Sequence, residues 1–122
     1  MRALRLVPFL FLSCSSAPPL SVAGAWSGSW ASSITQSSMG NVSINVAQTG
    51  GATTGSGSIS LYGSVTLDGT YSASNGKWIG TVRNGLATAK FDLDVHGNSA
   101  SGTYNVPITA DIGTVSLSRT TR

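Results

Sequence analysis

Apolar side chains recur at every second residue along most of this chain, and the runs are cut by glycine-bearing turns roughly every ten residues. Side chains that alternate in this way line one face of a strand. No stretch of ten residues carries the three-to-four-residue spacing of an amphipathic helix. The chain is therefore confined to an all-β architecture with short connections.

The runs fix which side faces inward. Residues 25–33 carry Trp26, Gly28 and Trp30 on one face. Residues 41–48 carry Val42, Ile44 and Val46, with Ser43, Asn45 and Ala47 opposite. Residues 52–59 form a small-residue strand. Residues 61–67 bring Leu61, Val65 and Leu67 together. Asp68-Gly69 reads as a turn, and 70–73 as a short continuation before Asn75-Gly76. Residues 77–83 align Trp78, Gly80 and Val82. Asn84-Gly85 predicts a two-residue type I′ hairpin. Residues 86–95 align Phe91, Leu93 and Val95. Residues 99–106 end on Tyr104 and Val106 before Pro107, and 113–119 close the chain with Val115 and Leu117.

About eight short strands joined by hairpins predict an antiparallel up-and-down meander barrel, because closure removes the exposed strand edges. A β-sandwich is the alternative, but it usually needs longer crossover connections. A short echo points the same way: 50–56 (Gly-Gly-Ala-Thr-Thr-Gly-Ser) resembles 97–103 (Gly-Asn-Ser-Ala-Ser-Gly-Thr).

The N-terminus carries an address. Arg2 and Arg5 precede the apolar run 6–12, which is too short to span a bilayer and fits a signal segment. Two cuts compete. Ser21-Val22-Ala23 has the small residues that would allow a cut before Gly24. Phe11-Leu12-Ser13-Cys14 resembles the lipobox of bacterial lipoproteins, which implies a cut before Cys14 and acylation of its thiol. That resemblance implies an outer-membrane or periplasmic lipoprotein; a cut before Gly24 implies a freely secreted protein. The resulting division is a signal peptide over 1–13, a Pro-stiffened tether over 14–23 (or the remainder of the signal), and one β-barrel domain over 24–122.

Cys14 is the only cysteine, so the body has no disulfide and relies on its core and its sheet. Roughly one hundred residues suffice for one modest core. The net charge of +3 belongs mostly to the signal segment: without Arg2 and Arg5, five cations face four aspartates, and there is no glutamate. That balance removes most of the case for nucleic acid as a partner, and none is expected. Serine, threonine and glycine carry solubility instead.

Arg119 is the most informative residue. It lies in phase with Val115 and Leu117, on the apolar face, where a charge needs a partner. In a closed eight-strand meander the last strand adjoins the first, which brings Arg119 near Trp26 or Trp30, where a guanidinium can stack on an indole. With Gly24-Ala25-Trp26, Gly28-Ser29-Trp30 and Arg119, the body resembles the calycin barrels of lipocalin, fatty-acid-binding and avidin type. The resemblance implies a first-strand Gly-x-Trp covered by a last-strand Arg. It implies no biotin site, since Trp78 is the only tryptophan beyond the first strand.

Asp92, Asp94 and His96 share one strand face, but side chains two apart on a strand are separated by about 7 Å, so the spacing fits a solvent face better than a metal site. His96 is the only histidine, which leaves no second candidate for a Ser-His or Cys-His system. Asn41-Val42-Ser43 matches a glycosylation sequon, meaningful only in a eukaryotic secretory host. No catalytic constellation and no cofactor or metal is expected. The expected function is non-enzymatic: an exported barrel binding a small apolar ligand or an envelope protein, with Trp26, Trp30, Trp78, Phe91, Tyr104 and Arg119 as the lumen residues. An inhibitor-like protein and a purely structural envelope protein are the alternatives, and a hydrolase is a distant one.

Overall fold

Alternation is kept along the strands, and closure follows from it. A computed structural model describes residues 18–34, 39–85 and 87–121; the expected signal peptide and Cys14 lie outside the described residues. Eight antiparallel strands follow one another around a closed barrel: β1 (Gly24–Ser32), β2 (Met39–Thr49), β3 (Ala52–Ile59), β4 (Gly63–Ser72), β5 (Lys77–Arg83), β6 (Thr88–His96), β7 (Ser99–Val106) and β8 (Asp111–Thr121). β8 pairs back onto β1, so neither terminal strand leaves an open edge. No helix occurs among the described residues. The architecture is a small closed up-and-down β-barrel. Most of its inward residues are apolar, with Val42, Ile44, Leu67 and Leu93 buried, while most serines and threonines, Lys90 and Asp92 stand on the outer wall. A membrane-spanning barrel has the reverse arrangement, an apolar band outside.

Two turns bind strands tightly. Gly50 and Gly97 carry positive φ (+60° and +58°) at the first position of two-residue loops, the place where a II′ hairpin turn demands glycine. The Asn84 hairpin differs from its expected type I′ form. Among the described residues of this loop only Gly85 has positive φ, and the loop is longer: Asn84 N donates to Ala87 O (3.2 Å) and Asn84 Oδ1 accepts from Ala87 N (3.0 Å). The asparagine side chain, beside the left-handed Gly85, closes this turn.

Two further expectations are corrected. Asp68-Gly69 is not a turn but lies inside β4, pairing with Thr81 and Gly80. Inward phase runs on through Val65, Leu67 and Gly69 to Tyr71, which is buried. Glycine at 69 reflects close wall packing: a Cβ there would strike Ile79 O. Leu61, expected inward with Val65 and Leu67, sits instead in the β3–β4 turn with φ +75° and is 79% exposed.

The register also reveals that the barrel repeats itself after four strands. Trp26 faces Ile44 and Gly28 faces Val42, as Trp78 faces Leu93 and Gly80 faces Phe91. Ile44 faces Gly57, as Leu93 faces Gly102. Gly57 faces Val65 and Ile59 faces Gly63, as Gly102 faces Val115 and Tyr104 faces Gly113. The sequence echo is thus offset by two residues, aligning Gly57 rather than Gly55 with Gly102. β2 runs two residues further before its turn, and a shift of two preserves which face is inward. The halves differ where they join. Tyr71 faces Trp78 across β4–β5, whereas Arg119 faces Trp26 across β8–β1, beside a register shift at Ala25/Trp26.

Candidate functional site

The barrel has one filled end and one open end. The filled end receives the chain from residues 18–23, the segment expected to be a tether. Val22 is fully buried beneath the lumen. Its carbonyl accepts from Trp26 Nε1 (2.7 Å), and its N–H donates to Gln48 Oε1 (2.8 Å). Tyr71 Oη donates to Pro19 O (2.6 Å). Arg119 completes this layer. Its Cζ lies 5.1 Å from the Trp26 ring centroid. Nη1 donates to Ser21 O (2.7 Å) and Ala23 O (3.0 Å), and Nε to Asn98 Oδ1 (3.0 Å). The buried cation is therefore compensated by carbonyl dipoles and an indole face, without a counter-ion among these partners. Burial raises the Tyr71 pKa, and the positive charge of Arg119 opposes that rise.

Above this layer lies a ring-packed core. Trp26 and Trp78 meet at 5.6 Å between centroids, and Phe91 stands edge-on to Trp78 at 5.7 Å. Trp78 Nε1 donates to Thr53 Oγ1 (3.1 Å), a fully buried threonine. Thr53 escapes sequence reasoning because its strand reads as small and polar; its only signal is inward phase. A second aromatic group sits nearer the open end, where Trp30 packs against Tyr62 (5.8 Å) and edge-on to Tyr104 (6.0 Å). Tyr104 Oη donates to Asp111 Oδ2 (3.0 Å), and Ser32 Oγ donates to Asp111 Oδ1 (2.6 Å). Burial and the adjacent Asp111 push the Tyr104 pKa up to about 12.

Between the two groups is a cavity of about 110 Å³ with an almost wholly apolar lining. Trp26, Trp30, Trp78, Phe91 and Tyr104 line it, as the sequence phase predicts. Arg119 does not; it lies beneath Trp26 and holds the filled end. Val115, Leu117 and Val82 complete the wall, and Tyr62, Arg83 and Asn84 form its mouth. Trp30 is 5% exposed, and its Nε1 has no hydrogen-bond partner among the described residues. That N–H lies where glycine replaces a side chain: a Cβ on Gly40 would stand 2.8 Å from it.

Other sequence candidates fall outside the lumen. Asp92 and Asp94 share Lys77 Nζ, at 2.9 and 3.2 Å, on the exposed wall. These hydrogen bonds raise the Lys77 pKa. His96 is exposed at the end of β6. Among the described residues no group of three histidines, cysteines or acids is placed to hold a metal. Compared with protein-family models and with curated proteins, the chain finds no match.

Proposed function

We propose that this is an exported, non-enzymatic calycin-type barrel whose lumen binds one compact apolar molecule. The observation that carries the reading is the apolar cavity, filled at one end and open at the other. At about 110 Å³ it is far below the several hundred Å³ of a typical drug-sized pocket and close to the roughly 150 Å³ of dry cavities that admit benzene. The ligand class is accordingly a small ring or short branched alkyl group rather than a long lipid chain. The polar residues at the mouth include no acid–base pair, which favours binding over turnover. Export, through a lipid on Cys14 or by free secretion, rests on Arg2, Arg5 and the apolar run 6–12.

The test is titration with benzene and with cyclohexanone, followed by methyl NMR of Val115 and Leu117 and by tryptophan emission. Saturable shifts at these lumen groups are expected. Shifts confined to the outer wall, or none, would overturn the reading.

A further inference from the structure

Most of the exposed apolar surface of the described residues lies at the open end. Among the described residues, eight large hydrophobic side chains are exposed, and six of them belong to this end: Ile34, Met39, Leu61, Tyr62, Ile108 and Ile112. They come from three different loops and from the strand ends beside them. The tips project strongly, with Leu61 79%, Ile108 75%, Ile34 64% and Met39 61% exposed. Concentration at one end is not the scatter of single apolar residues expected on an ordinary soluble surface.

The polar groups of this end are ordered by depth. Tyr62, half-exposed, and Arg83, the last residue of β5, sit at the mouth just inside the tips. The acid at this end, Asp111, is held by Ser32 and Tyr104. Lys90 and Asp68 stand one level lower, both beside Thr81. Apolar tips, then a tyrosine and an arginine, then balanced charge is the sequence of environments met from acyl chains through headgroups to water.

We infer that the open rim docks on a lipid bilayer, with the tips at Ile34, Met39, Leu61 and Ile108 entering the acyl region and Arg83 facing lipid phosphate. A protein partner fits less well, because four separate tips around a hole offer a flat surface only edge contacts, whereas lipid flows around each tip. The apolar rim is continuous with the apolar lumen, so a ligand passing between lipid and cavity would not cross water. The inference holds whatever occupies the lumen. It also sets a direction. The chain enters at the opposite end, and four residues from Cys14 to Pro18 reach at most about 14 Å. The barrel is about 25 Å tall, so an acyl group on Cys14 and the rim would address different surfaces.

The experiment uses the full chain with Cys14→Ser, which is cysteine-free, and single cysteines at Leu61→Cys or at the outer-wall Ser101→Cys, each bearing a polarity-sensitive dye. Vesicles contain phosphatidylcholine with or without phosphatidylglycerol. The expected result is a blue shift and quenching by shallow spin-labelled lipid at position 61 and not at 101. Arg83→Gln should weaken binding to the phosphatidylglycerol vesicles about fivefold and leave the neutral ones unaffected. A dye at 61 that stays in water, even when the leader carries the protein to the vesicles, would overturn the inference. So would burial of that dye by self-association without lipid, which would assign the rim to a second copy of the chain.

Discussion

At the filled end of the barrel, polar groups meet polar groups: Trp26 Nε1 has Val22 O, Trp78 Nε1 has Thr53 Oγ1, and Arg119 has Ser21 O, Ala23 O and Asn98 Oδ1. At the open end, Trp30 Nε1 has no such acceptor among the described residues, and Leu61 and Ile108 stand in solvent. The repeat relates the two halves around the barrel and sets Trp26 and Trp78 in corresponding positions at the same level. The ends differ in what closes over them. The stretch from Pro19 to Ala23 brings carbonyls to the one end, whereas the other retains unmet valences and bare apolar surface. Stability is thus concentrated where the structure is saturated, and binding capacity where it is not.

The comparison breaks most severely if the chain is shortened to begin at Gly24. That deletion exposes the ring of Trp26, removes the burial of Val22 and leaves two Arg119 hydrogen bonds unmet. A loss on the order of 5 kcal/mol is expected in urea unfolding, and a loss under 1 kcal/mol would show the segment to be dispensable. The same reasoning expects the mature protein to begin at or before Pro18, which intact mass determines. A start at Gly24 contradicts it.

Paired tryptophan substitutions sharpen the contrast. Trp26→Phe gives up a buried hydrogen bond and the guanidinium stack, and should cost about 2 kcal/mol. Trp30→Phe removes a donor that has no partner, so its cost should be no more than about 1 kcal/mol despite similar burial. Equal costs for the two would erase the distinction between the ends.

The smallest effect concerns pH. Folding raises the Tyr104 pKa from the ordinary 10 to about 12. Its contribution to stability is therefore complete below about pH 10 and is lost as pH rises through 12. Thermal melts of the wild type should fall across that window, and Tyr104→Phe should flatten the decline. An unchanged slope would remove Tyr104 and Asp111 as the alkaline-sensitive clasp of the open end.

Strand phase alone identified five of the cavity-lining side chains, because inward and outward positions alternate whatever the surroundings. It also placed Arg119 among apolar neighbours and so beside a first-strand tryptophan. Turn chemistry was less legible. Asp68-Gly69 has the composition of a turn, yet glycine there serves two backbones that pack closely in the wall. Leu61 looks like a core residue until the β3–β4 turn consumes it. Val22 carried no signal at all, since a small-residue segment beside a presumed cut looks the same whether it is discarded or folded into a plug.

Local periodicity therefore determined that this is an all-β chain with an apolar interior, and which residues face it. Only the tertiary structure decided which end is filled, that Arg119 braces the chain instead of lining the cavity, and that a ring of exposed apolar tips surrounds the mouth. Those outcomes depend on contacts between residues some eighty to one hundred positions apart, such as Arg119 with Ser21 and Asp111 with Ser32. A pattern of period two records each residue's face, but not the partner that closure brings to it.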